Sequence, residues 1–393
     1  MQVCLWLCAY MGSDPRALNI MNKIKLIVTT TFGLESVVKK ELITLGFDNF
    51  IVSDGKIEFD ANKSDIPKLN LSLRAADRVL VKMGEFKATD FDLLFDQTKA
   101  LPWNNWITKD GKITVIGKSV KSSLRSVRAN QSIVKKAIIE NMQEVFNKEI
   151  FPETGPEFII KVSILKNIAQ LTIDTSGVGL HKRGYRIDTG DVPIRENLAA
   201  GLILLSFYNR GKVLIDPMCG SGTILIEAAM IGRNIAPGLN RNFISEDWPT
   251  LDKKFWEDAR SFAHAAIRPT GDLKVFGYDI DKERIEGCKA NAKNAGVLED
   301  IVFKQQDIKD LKVECENGML ISNPPYGVKM ALERGFNHIY GPINMIFADK
   351  PGWGVYIITA DKNFPNSFKQ AKPNKVRKLY NGTIEVNYYQ YRR

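Results

Sequence analysis

The sequence is poor in the residues that hold metals or form disulfides. Its 393 residues include 5 cysteines and 3 histidines. The cysteines show no paired spacing, which favours a reducing compartment over a disulfide framework; they are Cys4, Cys8, Cys219, Cys288 and Cys315. The histidines, at positions 181, 264 and 338, have no metal-ligand spacing. We therefore expect no metal site and a cytoplasmic protein.

Long apolar runs are also absent. The first ten residues, MQVCLWLCAY, are too few to span a bilayer, and they lack the basic start and cleavage site of a signal peptide. A second methionine, Met21, lies just before the strand-like NKIKLIVTT. We therefore expect residues 1–22 to be an extension outside the fold, and we expect no membrane partner. The length predicts two or three domains.

Positive charge exceeds negative charge and is concentrated in one stretch. The formal net charge is +10, which indicates a polyanionic partner. Between residues 109 and 136, eight basic residues face a single acid, Asp110, and serines lie among them. Amines and hydroxyls together suit phosphate contacts, although a solvated helix face without a partner is the alternative. We favour backbone binding, through Lys118, Lys121, Arg125, Arg128 and Lys135.

Hydrophobic periodicity divides the chain into three blocks after the extension. Residues 23–75 contain the strand-like IKLIVTT, the amphipathic helix FGLESVVKKELITLGF with Gly46 at its end, and a hairpin in FIVSDGKIEFD, which together predict a small α+β unit. Residues 76–176 contain strand candidates in RVLVKMGEF, KITVIGKSV and FIIKVSIL…AQLTIDT, and a helix candidate in SIVKKAIIENMQEVFN.

The third block, residues 177–393, alternates short apolar strands with helices. The strand candidates are VLID, KVFGYD, IVFKQQD, GMLISNPP and GVYIIT, and the first four end in acidic or polar residues. This alternation predicts an α/β fold with a doubly wound parallel sheet, in which ligands gather at the carboxyl ends of the strands. A hairpin in VRKLYNGTIEVNYYQY, turning at Asn381-Gly382, is predicted to add an antiparallel pair.

A glycine-rich loop, PMCGSGT, follows the first strand of this block. Gly220 and Gly222 allow a tight turn, and the next helix offers free N–H groups. The loop contains no G-x-G-x-x-G and no G-K-[ST], which argues against a nicotinamide-dependent dehydrogenase and a phosphate loop. Cys219 lies inside the loop, where packing is a better interpretation than a nucleophile, since a nucleophile needs a base or a cation beside it.

Acids at three strand ends complete a predicted S-adenosylmethionine site. Asp216 suits the cationic amino group of a methionine moiety, Asp279 suits ribose hydroxyls, and Asp307 suits an adenine amine. The remaining cofactor candidates in these segments are Pro217, Cys219, Gly220, Gly222, Thr223, Ile280, Ile308 and Asn323.

The fourth strand ends in a motif suited to methylating an amine. An exocyclic base amine is a poor nucleophile, because its lone pair is conjugated with the ring. The Asn323 side-chain carbonyl and the Pro324 backbone carbonyl can each accept one amine hydrogen, and two prolines, Pro324 and Pro325, hold these acceptors rigidly. Tyr326 offers a surface on which the base can stack. A plain turn after a strand is the alternative interpretation.

Three segments, DPMCGSGTILIEAAMIGRNIAPGLNR, GYDID and SNPPYG, resemble the class I methyltransferase domain of bacterial THUMP-containing RNA methyltransferases. The most similar member type methylates the two-position amine of a guanine in 23S ribosomal RNA. The resemblance implies a ferredoxin-like domain over 23–75, an RNA-binding THUMP domain over 76–176 and the methyltransferase domain over 177–393. It also implies that Glu196, with Arg195 and Asn197, helps to close the cofactor site. Some members carry a second methyltransferase domain, and we expect none after Arg393 in this chain.

Several alternatives stay open. The motif serves guanine and adenine amines alike, and the substrate could be transfer RNA or DNA instead, or a ribosome assembly intermediate rather than naked RNA. An RNA-binding protein with an inactive methyltransferase fold is a further alternative. The segment from Ile235 to Pro269, which contains Trp248 and Trp256, fits either a substrate lid or plain packing.

Overall fold

The first of two sheets comprises the amino-terminal strands. The computed structural model describes residues 23–187, 193–325, 337–348, 350–362, 364–368 and 372–392. The first sheet has seven strands in the order β2-β3-β1-β4-β7-β6-β5. Their bounds are β1 Ile24–Thr30, β2 Ile51–Ser53, β3 Lys56–Ala61, β4 Ala76–Lys87, β5 Lys112–Val120, β6 Glu157–Leu165 and β7 Ile168–Asp174.

The long strand β4 joins the two amino-terminal blocks. It pairs with β1 on one side and with β7 on the other, both antiparallel. The domain boundary predicted between residues 75 and 76 therefore falls at the first residue of a strand that both blocks share. The division into two domains stays a prediction. The predicted hairpin is present, with Gly55 at φ +71° between β2 and β3.

Four helices accompany this sheet: α1 Glu35–Thr44, α2 Asp65–Ser72, α3 Phe91–Lys99 and α4 Val127–Phe146. In α1 the predicted apolar face is buried, and the chain leaves the helix before Gly46, which has φ +92°. Helix α4 begins at residue 127 rather than at 132 as predicted. The Ser126 side chain accepts a hydrogen bond from the Ala129 N–H at 3.3 Å, and this cap starts the helix ahead of the hydrophobic pattern.

The second sheet is the predicted doubly wound sheet. Its order is β10-β9-β8-β11-β12-β14-β13. The bounds are β8 Leu214–Asp216, β9 Val275–Asp279, β10 Ile301–Gln305, β11 Asn317–Ser322, β12 Gly352–Thr359, β13 Lys375–Asn381 and β14 Ile384–Tyr391. Strands β8 to β12 are parallel, and β14 and β13 add an antiparallel pair. The strand order reverses between β8 and β11, which is where such sheets bind ligands.

The helices of this half are α5 Glu196–Leu205, α6 Thr223–Gly232, α7 Lys253–Ala265, α8 Lys282–Asn294, α9 Asn337–Phe347 and α10 Phe364–Ser367. A short 3-10 turn over Ile308–Asp310 follows β10. Within the residues described, no helix is both long enough and apolar enough to cross a lipid bilayer.

The terminal hairpin turns one residue later than predicted. Asn381 pairs with Ile384, so Gly382 and Thr383 form the loop. Gly382 has φ +63°, whereas Thr383 does not have a positive φ. A two-residue turn with glycine first and a β-branched residue second is of the II′ kind, because the alternative type I′ needs positive φ at both positions.

The insertion of residues 235–269 packs against the first sheet. Trp248 is 1% exposed, and its ring stacks on Phe158 of β6 with 4.8 Å between centroids. The Trp248 indole N–H donates to the Glu157 carbonyl oxygen at 3.0 Å. A second tryptophan, Trp256 of α7, stacks on Phe243 at 5.2 Å. These contacts support the packing interpretation of the insertion over the lid interpretation.

Candidate cofactor and base-binding site

The glycine-rich loop after β8 is shaped by positive backbone angles and by bonds to β9. Gly220 has φ +55° and Gly222 has φ +75°, a region that side chains with a Cβ rarely adopt. The Cys219 N–H donates to the Tyr278 carbonyl oxygen at 2.9 Å, and the Gly220 N–H donates to Asp279 Oδ2 at 3.0 Å. The loop therefore lies directly over the carboxyl end of β9, and α6 starts immediately after it.

Asp216 ends β8 in a buried position. Its carboxyl accepts from Ser322 Oγ at 2.7 Å and from the Met218 N–H at 3.2 Å, and the residue is 2% exposed. Burial raises the pKa of this carboxyl to about 7, against the opposing effect of those two hydrogen bonds. A cationic group beside Asp216 would favour the ionised carboxylate, so the position is electrostatically suited to an ammonium.

The second acid, Asp279, has spare acceptor capacity. Its two carboxyl oxygens accept one N–H each, from Gly220 and Asp281, both at 3.0 Å. A carboxylate offers about four acceptor positions, so two stay available for ligand hydroxyls. The next residue, Ile280, is apolar and 63% exposed.

The third acid, Asp307, caps the short 3-10 turn after β10. Its Oδ1 accepts the Lys309 N–H at 3.0 Å, and no bond to its other carboxyl oxygen is formed within the described residues. Ile308 is buried in a hydrophobic cluster, so its side chain is less accessible to a ligand than that of Ile280.

The end of β11 brings the predicted amine acceptor to the same edge of the sheet. Ser322, the last residue of β11, bonds to Asp216, and Asn323 follows directly. The Asn323 Oδ1 atom is buried and has no hydrogen-bond partner among the described residues. Pro324 is buried and Pro325 is exposed. Tyr326, the predicted stacking residue, lies outside the described residues.

Two cysteine thiols pack together at the loop, Cys219 within it and Cys288 beside it. Cys219 and Cys288 of α8 have their sulfur atoms 3.8 Å apart, and Cys288 Sγ donates to the Gly220 carbonyl oxygen at 2.9 Å. The hydrogen bond with Cys288 and burial raise the pKa of the Cys219 thiol well above its usual range. A neutral, buried thiol agrees with packing and not with a nucleophile.

Among the described residues, Glu196 reaches the loop through an arginine. Its carboxylate pairs with Arg186 Nε at 3.3 Å, and Arg186 Nη2 donates to Thr223 Oγ1 at the start of α6 at 2.9 Å. The neighbouring Asn197 turns to the first sheet, where it donates to Asp77 at 2.7 Å. The sequence analysis gave neither Arg186 nor Ser322 a role in the site. Only a polar residue at the end of β11 and an arginine before α5 signalled them.

The predicted basic stretch crosses three elements: β5, the loop after it and α4. Lys118, Lys121, Arg125 and Arg128 are exposed and form no ion pair among the described residues. Lys135 differs, because it pairs with Glu153 at 2.8 Å. Between β5 and α4 lies a cavity of about 410 Å³ lined by Ser119, Lys121, Ser122, Ser123 and Arg125. Lysine, arginine and serine hydroxyls meet there, as the interleaved pattern predicted.

Three domain families match this chain. Residues 183–390 match the RMKL-like methyltransferase domain, residues 25–80 match the RlmL ferredoxin-like domain, and residues 88–174 match the THUMP domain. These matches confirm the fold class and the family that the motifs indicated.

Similarity to individual relatives supports the same family. A Bacillus subtilis protein with the provisional name RNA methyltransferase YpsC is 44% identical over 94% of this chain and 96% of its own length. The ribosomal RNA large subunit methyltransferase K/L of Psychromonas ingrahamii is 32% identical over 94% of this chain, which spans 50% of that longer protein. The crystal structure of SMU.472, described as a methyltransferase and complexed with SAH, superposes with a TM-score of 0.90 at 41% identity, over 94% of this chain and 98% of that one. The chain belongs to the RMKL-like methyltransferase family, with RlmL-type ferredoxin-like and THUMP domains preceding the methyltransferase domain.

Proposed function

We propose that this protein transfers a methyl group from S-adenosylmethionine to the exocyclic amine of a base in RNA. The observation that carries the proposal is the buried Oδ1 atom of Asn323, which lacks a hydrogen-bond partner among the described residues. A buried acceptor without a partner is costly, and a ligand hydrogen would relieve that cost. An amine N–H of a flipped-out base is such a donor.

The residues around Asn323 fit the cofactor. S-adenosylmethionine supplies a methyl group on a sulfonium centre. Asp216 would hold its ammonium group, Asp279 its ribose hydroxyls and Asp307 its adenine amine, while the exposed Ile280 would cover the adenine ring. Glycines at 220 and 222 keep side chains out of the turn between these acids.

Asn323 and Pro324 orient the amine in this account. The Asn323 side-chain carbonyl and the Pro324 backbone carbonyl each accept one amine hydrogen, which favours a pyramidal nitrogen whose lone pair is free to react. Formation of the N–C bond would break the bond between the methyl group and sulfur, with S-adenosylhomocysteine as the leaving group. The amine proton would then pass to solvent, so no strong base is needed. Tyr326 is assigned to base stacking from its position in the motif.

The substrate that we favour is the two-position amine of a guanine in 23S ribosomal RNA, free or in an assembling particle. The exposed cations Lys118, Lys121, Arg125 and Arg128 would bind the RNA backbone. The similarity to the ribosomal RNA large subunit methyltransferase K/L supports a ribosomal substrate. An adenine amine and transfer RNA are outcomes that the labelling experiment below would detect, and DNA is the alternative substrate that would leave all RNA unlabelled.

Substitution of Asn323 tests the role of the acceptor. We expect Asn323→Ala to lower the rate of methyl transfer to RNA by roughly 100-fold or more, as loss of one preorganised polar contact commonly does. Isothermal titration should show that the variant still binds S-adenosylmethionine. Asn323→Asp, which keeps an acceptor oxygen at the same place, should retain more activity than Asn323→Ala.

Two results would count against the assignment. Equal loss of cofactor binding and of methyl transfer in Asn323→Ala would mean that the residue supports the cofactor rather than the amine. A wild-type protein that binds RNA but not S-adenosylmethionine would instead support the alternative of an inactive methyltransferase fold.

A further inference from the structure

A second cleft lies at the opposite edge of the methyltransferase sheet. It has a volume of about 550 Å³ and lies at the amino ends of the parallel strands, where Lys274 precedes β9 and Asn317 and Gly352 begin β11 and β12. The candidate cofactor loop and Asn323 follow the carboxyl ends of the same strands. Strand β12 has 8 residues, which corresponds to about 26 Å, so the cleft is separate from the methyl-transfer site.

The cleft is electropositive. Three cations line it, Lys212, Lys274 and Arg392, against one acid, Glu316. Both lysines are exposed, and neither forms an ion pair within the part of the chain that the structure describes. Cations left without acidic partners around a concave surface attract an anionic ligand.

An aromatic ring at the cleft is held by an unfavourable backbone conformation. Phe207 follows Ser206, the C-cap residue of helix α5, and has φ +61°. This left-handed position after a helix is normally taken by glycine, and it is strained for a residue with a Cβ.

Burial does not offset that strain. Phe207 is 55% exposed. The Arg392 guanidinium lies 4.4 Å from the ring centroid and Lys40 Nζ lies 6.0 Å from it. An exposed aromatic ring that is held in a strained conformation among cations is suited to stacking against a planar ligand.

We propose that this cleft binds a nucleotide, with the base stacked on Phe207 and the phosphate held by Lys212, Lys274 and Arg392. Aromatic stacking combined with a basic groove is how proteins hold single-stranded nucleic acid without reading its sequence. The volume is in the range of sites for small ligands. The nucleotide belongs either to the substrate RNA, at a point remote from the methylated base, or to a free mononucleotide. The first source rests on the proposed function.

The variant Phe207→Gly separates ligand binding from folding. Glycine removes the strain at φ +61°, so the variant should be at least as stable as the wild type. We expect it to bind a labelled single-stranded RNA of about 12 nucleotides roughly 10-fold more weakly, the loss expected for one stacked base.

Lys212→Glu with Lys274→Glu should lower the salt dependence of RNA binding by about one phosphate contact for each lysine. The matched control is Lys253→Glu with Lys254→Glu on α7, two exposed lysines outside the cleft.

A chemical footprint reports on the same cleft without any substitution. Cys315 lines the cleft and is exposed, whereas Cys219 and Cys288 are buried. The short RNA should slow alkylation of the peptide that contains Cys315, as read by mass spectrometry. If guanosine monophosphate protects Cys315 as well as the RNA does, and the RNA affinity of Phe207→Gly equals that of the wild type, the ligand is a free mononucleotide.

The proposal is overturned if Phe207→Gly binds both probes as the wild type does and neither probe protects Cys315. These measurements use no cofactor. Failure of the wild type to methylate RNA would therefore contradict the proposed function and leave this comparison intact.

Discussion

Replacing Asp216 with asparagine should stabilise the folded protein while it weakens cofactor binding. Burial raises the pKa of this carboxyl from 3.8 to about 7. In the unfolded chain the group is ionised above its ordinary pKa, whereas the folded protein holds the proton up to about pH 7. The stability that this carboxyl contributes is therefore full below about pH 4 and is lost as the pH rises to about 7.

The size of the effect follows from the two pKa values. At about 1.4 kcal/mol for each pH unit, the interval between 3.8 and about 7 corresponds to about 4 kcal/mol. Asparagine has nearly the same shape and does not titrate, so Asp216→Asn should avoid this loss. The stability gained by the variant over the wild type should grow by about 1.4 kcal/mol per pH unit up to about pH 7 and then level off.

Urea denaturation of both proteins without cofactor, in steps from about pH 5 to about pH 8, measures this difference. All other titrating groups are common to the two proteins and cancel. Binding of S-adenosylmethionine should weaken below about pH 7 in the wild type, as Asp216 takes up a proton, and should be weak at every pH in the variant. A stability difference that is the same at every pH would refute the reasoning.

Three further predictions follow from other parts of the structure. Gly222→Ala should weaken cofactor binding more than Gly220→Ala. A Cβ added at position 222 would lie 3.2 Å from Cys288 Sγ, whereas the nearest atom to a Cβ added at position 220 would be 3.8 Å away. Titration of both variants with S-adenosylmethionine checks this. Lys121→Glu with Arg125→Glu and Arg128→Glu should weaken RNA binding in a salt-dependent way, and equal affinity to the Lys253→Glu, Lys254→Glu control at low salt would argue against this surface. Trp248→Ala should lower the free energy of unfolding by about 3–5 kcal/mol, and denaturation that matches the wild type would contradict a packing role for the insertion.

The parallel sheet was predictable because its strands are short, apolar and separated by helices. The acids at the strand ends could be found the same way, since each strand direction is fixed by the crossover to the next. The turn of the terminal hairpin was displaced by one residue. Asn-Gly usually marks a type I′ loop with positive φ at both residues, whereas here Asn381 pairs with Ile384 and only Gly382 of the Gly382-Thr383 loop has a positive φ.

Contacts between distant segments were not predictable from local patterns. The bond from Ser322 to Asp216 joins residues on two strands, and the pKa of Asp216 depends on burial that only the folded sheet provides. The pairing of Lys135 with Glu153 likewise removes one cation from a stretch that looks uniformly basic in the sequence. The stacking of Trp248 on Phe158 linked the insertion to a strand about ninety residues earlier, beyond the range of any periodicity.

The most direct test is methyl transfer from labelled S-adenosylmethionine to total RNA from cells that lack this gene, followed by nucleoside analysis. We predict label in 2-methylguanosine within the large-subunit ribosomal RNA, and labelling roughly 100-fold slower with Asn323→Ala. Label in a methylated adenosine or in transfer RNA would contradict the favoured substrate while retaining the chemistry. If neither total RNA nor assembling ribosomal particles become labelled when they are offered as substrates, the account of this protein as an RNA methyltransferase is contradicted.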